Sequence, residues 1–153
     1  MQLLRELMGN LENGFESTGS SRFSFMVEKG LHIDKKDLAI IKKFCDTAAD
    51  AMGLEGNYKC YLSDDRKISK IVTTAICDFS RSNIRIYCHQ RGLADILRSI
   101  AHEMYHLRQH ENGLVPRNMK QHHLEPIEWQ ANAAAGSLLS YFAQKVGKDK
   151  IYR

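Results

Sequence analysis

The residues best suited to chemistry lie in the stretch SIAHEMYHLRQH at 99–110, where His102, Glu103 and His106 form an H-E-x-x-H pattern. Residues four apart on a helix lie one above the other, so both imidazoles can reach one metal ion from the same face. Zn²⁺ binds imidazole nitrogen well. Glu103 is rotated by about 100° from His102, so it should miss the ion yet lie beside it. A general base in metal-assisted hydrolysis needs that position.

A zinc site with two histidines needs a third protein ligand, and Glu128 is the candidate that we favour. Glu128 begins a helix whose next two turns consist almost entirely of small residues, which let two helices approach closely. A carboxylate on this helix could then reach a metal ion held by the first helix. The alternative ligands are Glu125, His122, His123 and His110. The small residues are Ala131, Ala133, Ala134, Ala135 and Gly136.

His110 continues the four-residue spacing of the histidines, but it should not bind the same ion. A helix rises about 1.5 Å per residue, which puts His110 about 12 Å along the axis from His102. We expect His110 at the mouth of the substrate cleft. Asn132, one turn beyond Glu128, could accept a hydrogen bond from the second ring nitrogen of a ligand histidine.

Other side chains are candidates for stabilising the oxyanion of a tetrahedral intermediate. His122 and His123 precede the helix of Glu128, and we expect them in the cleft. Tyr105, which lies inside the H-E-x-x-H pattern, could serve equally. Tyr87 and Tyr141 are further candidates, and the sequence does not choose among them.

These motifs resemble those of gluzincin-type zinc metallopeptidases. The phrase EWQANAAAGSLL resembles the third-ligand helix of ImmA/IrrE-like peptidases. The phrase IAHEMYHLRQ is similar to the active-site helix of small phage and bacterial H-E-M-x-H-x-x-Q proteins, which are grouped loosely with SprT-like domains. The resemblance implies one Zn²⁺ per chain on His102, His106 and Glu128, with Glu103 as the base. It also implies an α+β fold of minimal zincin type.

Two further helices can be placed by their apolar periodicity and their terminal residues. A helix capped by Asp34 should end at Gly53. The active-site helix should end at Gly113, and a last helix should span 126–146 with Pro126 in its first turn. The residues expected to face inward from the active-site helix are Leu93, Leu97, Ile100, Met104 and Leu107.

Between the first long helix and the active-site helix, the sequence predicts a three-stranded, mainly antiparallel sheet. The stretches 58–62, 70–79 and 84–88 are rich in β-branched and aromatic residues, and turn residues separate them. An exposed strand edge beside the active-site helix, at 70–79 or 84–88, could hold an extended substrate by strand addition.

The N-terminal residues differ from the rest in composition. A short helix at 2–8 is followed by a Gly-, Ser- and Asn-containing segment at 9–21. We therefore expect residues 1–22 to form a short helix and a flexible arm, which could control access to the cleft. Residues 23–153 should form a single zincin-like metallopeptidase domain.

The composition indicates where the protein is located and which classes of partner it binds. No apolar run approaches the roughly 18–20 residues of a membrane span, and Arg5 and Glu6 interrupt the N-terminal apolar stretch. We therefore expect a cytoplasmic protein with no membrane partner. The net charge of +4 is spread along the chain, which does not favour nucleic acid. The four cysteines lack paired spacing and should be free thiols.

The combined prediction is a zinc-dependent metallopeptidase that acts on a peptide or protein substrate. Two alternatives remain open. One is a catalytically silent module in which zinc only links the helices of an interaction domain. The other is a DNA-associated protease of SprT type.

Overall fold

The computed structural model describes residues 2–15, 17, 21–64, 74–115 and 125–153, although the side chain of Glu125 is not part of the description. Within these ranges the chain forms helices together with one sheet, which confirms the predicted α+β class. In chain order the elements are α1 (Gln2–Glu12), β1 (Phe23–Val27), α2 (Lys35–Met52), β2 (Tyr58–Ser63), β3 (Ala75–Asp78), β4 (Asn83–Tyr87), α3 (Leu93–Glu111), α4 (Glu125–Val146) and α5 (Lys148–Ile151).

The sheet has four strands in the order β1-β2-β4-β3, so the prediction of a three-stranded, mainly antiparallel sheet was wrong. The pairs β1–β2 and β2–β4 are parallel, and only β3–β4 is antiparallel. Turn residues identify hairpins such as β3–β4, but a parallel pair needs a crossover, which local turn signals do not reveal. Here α2 makes the crossover from β1 to β2. The strand predicted at 70–79 is β3, and residues 70–73 lie outside the described ranges.

The helices cover one face of the sheet. The residues of β2 and β4 that point to this face, Cys60, Leu62, Ile84 and Ile86, are completely buried. Helix α3 packs against β3, β4, α2 and α4, so it lies at the centre of the core. The prediction of its inward stripe is confirmed, because all five residues, Leu93, Leu97, Ile100, Met104 and Leu107, are buried.

Helix α2 begins and ends where its capping residues predict. The side chain of Asp34 accepts a hydrogen bond from the backbone N–H of Lys36, and α2 starts at Lys35. Gly53 follows the last helical residue with a φ of 71°, in the left-handed region that glycine adopts most easily. The last long helix agrees as well, since α4 occupies Glu125–Val146 and the prediction was 126–146.

Helix α1 joins the core through three buried leucines, Leu3, Leu4 and Leu7. It packs against α4 and α2. Beyond it, the hydroxyl of Tyr141 on α4 donates a hydrogen bond to the carbonyl of Phe15. A role for residues 1–22 in controlling the cleft stays a prediction, and positions 1, 16 and 18–20 lie outside the described ranges.

Within the described ranges, none of the helices combines the length and the apolarity that crossing a lipid bilayer requires. All four cysteines are free; Cys45, Cys60 and Cys88 are buried and Cys77 is half-buried.

The carboxylate of Glu111 fixes the C-terminal end of α3 to the connection between α2 and β2. It accepts hydrogen bonds from the backbone N–H groups of Glu55 and Gly56 and from the hydroxyl of Tyr58. A Cβ atom at Gly56 would lie 2.8 Å from the Tyr58 hydroxyl and 3.1 Å from Glu111 Oε2, so the close approach requires glycine. This contact holds α3 in place five residues beyond His106.

We predict that Glu111→Ala lowers the free energy of unfolding by about 2–4 kcal/mol, because three donors lose a charged acceptor. The matched control is Glu55→Ala. The Glu55 side chain is 79% exposed and forms a 3.9 Å ion pair with Arg108, so its removal should cost about 0.5 kcal/mol or less. Urea unfolding measures both values, and equal losses would contradict the role of Glu111.

Candidate metal centre

Three donor groups from two helices converge at one point. His102 Nε2 lies 3.0 Å from Glu128 Oε2, His106 Nε2 lies 2.9 Å from Glu128 Oε1, and the two imidazole nitrogens are 3.1 Å apart. His102 and His106 belong to α3, and Glu128 belongs to the first turn of α4. These three residues form a group that could hold a metal ion.

The packing of α3 against α4 brings the carboxylate to the imidazoles. Ala131, Ala134 and Ala135 on α4 are buried, so short side chains fill the contact and the two helix axes can approach closely. On α3, the four-residue spacing stacks the two histidines on one face. Their rings meet edge to face, with centroids 4.7 Å apart. Both nitrogens therefore point to Glu128.

Gln109 determines which nitrogen of His106 faces the centre. Its amide oxygen lies 2.8 Å from His106 Nδ1, and its amide nitrogen donates to the carbonyl of Ile127. An amide oxygen can only accept, so Nδ1 carries the proton and donates it. His106 Nε2 then presents a lone pair to the centre, as a metal ligand must. This role was not predicted from the sequence, although Gln109 stands three residues after His106 on the same face of α3.

The donor set fits a cation. In neutral His106 the Nε2 lone pair faces a carboxylate oxygen 2.9 Å away, and two lone pairs at that distance repel unless a proton or a metal ion lies between them. Among the described residues, the buried atom Glu128 Oε1 has no hydrogen-bond donor aligned with it. A tetrahedral ion with bonds of about 2.0–2.2 Å needs donor atoms about 3.3–3.6 Å apart, so a bound ion would spread these three donors by a few tenths of an ångström.

The pKa values of the three residues show the same coupling. When His106 is protonated, its Nε2–H donates to Glu128, and this hydrogen bond lowers the pKa of Glu128 from its usual value. Burial lowers the pKa of His102, and the neighbouring His106 lowers it further. Burial also acts to lower the pKa of His106, but hydrogen bonding to Glu128 and the charge of Glu103 outweigh it, so the pKa of His106 is raised.

Glu103 lies beside the centre and is not one of its three donors. Its side chain is buried, and burial raises the pKa of its carboxyl to about 7. Burial and then the nearby charge of Glu103 raise the pKa of the Cys77 thiol, which places the carboxyl between α3 and β3. A carboxyl whose pKa lies near neutrality can accept and return a proton at physiological pH.

A cleft of about 330 Å³ opens onto the centre. His102, Glu103 and Glu128 line its floor, and the residues around them are Thr74, Ala75, Arg98, Ser99 and Asn132. Ala75 is the first residue of β3 and Thr74 precedes it. Among the described strands, β3 pairs only with β4. The cleft therefore runs between α3, α4 and an edge strand of the sheet.

The other residues that the sequence singled out lie at different distances from the centre. Asn132 lines the cleft beside His102. His110 stacks on Phe79 with ring centroids 4.5 Å apart, near the end of α3. His122 and His123 lie outside the described residues, as does the side chain of Glu125.

The three tyrosines do not line the described part of the cleft. Tyr105 is completely buried, and burial raises its pKa to about 12, with smaller effects from Arg108 and Glu6. Tyr105 is therefore enclosed in the core and does not line the cleft. Tyr141 contacts Phe15, beside α1.

No family model, curated protein or solved structure matches this chain. An assignment of function therefore depends on the chemistry of the site itself.

We predict that Gln109→Leu weakens Zn²⁺ binding by about 10- to 100-fold, because the ring of His106 loses the acceptor that fixes its tautomer and orientation. Competition with a fluorescent zinc chelator measures the affinity. The matched control is Gln144→Leu, because Gln144 is exposed on α4 beside α1. An unchanged affinity in Gln109→Leu would contradict this role.

Proposed function

We propose that this chain is a zinc-dependent metallopeptidase in which His102, His106 and Glu128 bind the ion and Glu103 is the general base. The observation that carries the proposal is the convergence of the three donors, which lie 2.9–3.1 Å apart. The buried carboxyl of Glu103 lies beside them and is not one of the three. The motif resemblance to gluzincin peptidases supports the same ligand set. Imidazole and carboxylate donors in a group of three suit Zn²⁺ in a catalytic site.

A bound zinc ion would supply Lewis acidity, which activates water and polarises the scissile carbonyl. The protein's own groups would do the rest. Glu103 would accept a proton from the attacking water on a carboxylate oxygen and then deliver it to the leaving amine. The burial of Glu103 favours both steps, since it brings the pKa of the carboxyl to about 7. Gln109 and Asn132 would hold the ligand imidazoles in place.

An extended substrate would lie in the cleft beside β3. Residues of the edge strand and of the active-site helix both line the cleft at the centre. A peptide bound there would bring its scissile carbonyl to the centre, within reach of a water molecule activated by Glu103.

The position of Glu103 also separates this proposal from a catalytically silent zinc module. Taking a carboxyl group out of water costs free energy, and a centre that only links α3 to α4 gains nothing from a carboxyl group beside it. In a peptidase the same carboxyl group acts as the general base in every turnover.

We predict that Glu103→Gln lowers kcat for peptide cleavage by at least about 100-fold while Zn²⁺ stays bound, because Gln cannot take a proton from water. Cleavage of a fluorogenic peptide library and zinc content by atomic absorption are the two measurements. Cleavage at the wild-type rate in Glu103→Gln would contradict the mechanism. Full zinc occupancy without cleavage in the wild type would favour the silent module.

We predict that Glu128→Ala weakens Zn²⁺ binding by more than about 100-fold, since losing a ligand costs more than losing a group that positions one. The matched control is Glu125→Ala, which removes the other glutamate at the start of α4. Chelator competition measures both variants. Retention of wild-type affinity in Glu128→Ala, or its loss in Glu125→Ala, would contradict the assignment.

A further inference from the structure

Arg98 stands out among the residues that line the cleft. It lies on α3 one turn before His102, and its side chain is exposed on the wall of the cleft. Of the described lining residues it is the one with a permanent positive charge; the others are two carboxyl groups, one imidazole and four small or neutral side chains. Arg98 therefore provides the cation that an incoming substrate meets beside the metal centre.

Two other arginines of α3 and the segment before it, Arg91 and Arg108, bind groups within the fold. Arg91 donates to the carbonyls of Tyr87 and Asp95 and to the hydroxyl of Ser99. Arg108 donates to the carbonyl of Met52 and pairs with Glu111.

Arg98 differs from both, because no group in the described ranges forms a hydrogen bond or an ion pair with its guanidinium. An exposed guanidinium that points into a cleft is available to a ligand.

The charge of the cleft points to an anionic partner. Glu103 and Glu128 contribute two negative charges when ionised, and a divalent ion at the centre would neutralise them. The guanidinium of Arg98 would then give the cleft a net positive charge. A guanidinium binds a carboxylate through two parallel hydrogen bonds, so a carboxylate is the partner of best fit for a peptide substrate.

The spacing along α3 fixes how far this carboxylate lies from the reacting bond. Four helical residues rise about 6 Å, which separates Arg98 from His102 along the axis. An extended peptide advances about 3.3 Å per residue, and every second side chain points to the same face. A group bound by Arg98 therefore belongs to a residue within about two positions of the scissile bond.

We propose that Arg98 binds a carboxylate of the substrate, so that the cleft selects peptides with an acidic side chain or a free C-terminal carboxylate within about two residues of the cleaved bond. This inference rests on the proposed peptidase function and names its substrate class.

The experiment compares pairs of peptides that differ only in one carboxylate. In the first kind of pair, one peptide carries Glu and the other carries Gln at a single position near the cleaved bond, and each position is tested in turn. In the second kind, one peptide ends in a free carboxylate and the other in an amide. For the wild type we expect kcat/KM to favour the acidic member by about 10- to 100-fold, the usual effect of a hydrogen bond to a charged group. Whichever pair shows the preference identifies the source of the carboxylate.

In Arg98→Gln the ratio between the members of that pair should fall below about twofold, and Arg98→Glu should reverse it in favour of a Lys-containing peptide. The matched control is Arg5→Gln, since Arg5 is exposed on α1 away from the cleft; it should keep the wild-type ratio. A ratio that is the same in the wild type and in Arg98→Gln overturns the inference and leaves the peptidase proposal intact.

Peptide binding gives a second readout that does not need turnover. The Zn²⁺-loaded Glu103→Gln protein should bind a fluorescent acidic peptide about 10- to 100-fold more tightly than its Gln counterpart, as measured by anisotropy. The difference should disappear when Arg98→Gln is added. If the wild type cleaves no peptide at all, the peptidase proposal fails. If the Glu103→Gln protein and the Glu103→Gln/Arg98→Gln protein show the same preference for the acidic peptide, the role of Arg98 is overturned.

Discussion

Two imidazole nitrogens and a carboxylate that face one another at 2.9–3.1 Å impose an electrostatic constraint on the whole domain. Their lone pairs repel unless a cation or a proton lies between them. The fold must therefore hold the two helices close together. The buried alanines of α4 permit that approach, and the sheet supports α3 from the other side.

The supporting contacts make the centre rigid before any ion arrives. Gln109 fixes the ring of His106 and is itself held by the carbonyl of Ile127. Glu111 ties the C-terminal end of α3 to the loop before β2. Because the ring of His106 and the end of α3 are held in this way, binding an ion would cost less conformational entropy.

The sequence predicted the helices and the pairing of the two histidines because both depend on short-range spacing: caps at Asp34 and Gly53, and histidines four residues apart. Glu128 was instead favoured by the small residues of its helix and by the motif resemblance. The sheet was predicted less well, because the parallel pairing of β1 with β2 depends on a crossover and on a strand that local signals did not identify. Gln109 was missed for a different reason. Its role depends on the tautomer of His106 and on a carbonyl of α4, neither of which spacing alone reveals.

The most direct test of the three-donor centre is the crystal structure of the Zn²⁺-loaded protein with anomalous scattering recorded at the zinc edge. We predict one anomalous peak per chain, about 2.0–2.2 Å from His102 Nε2, His106 Nε2 and a carboxylate oxygen of Glu128, with Glu103 beside the ion but not bound to it. A peak on His110, His122 or His123, coordination by Glu103, or the absence of a peak between α3 and α4 would contradict the proposed centre.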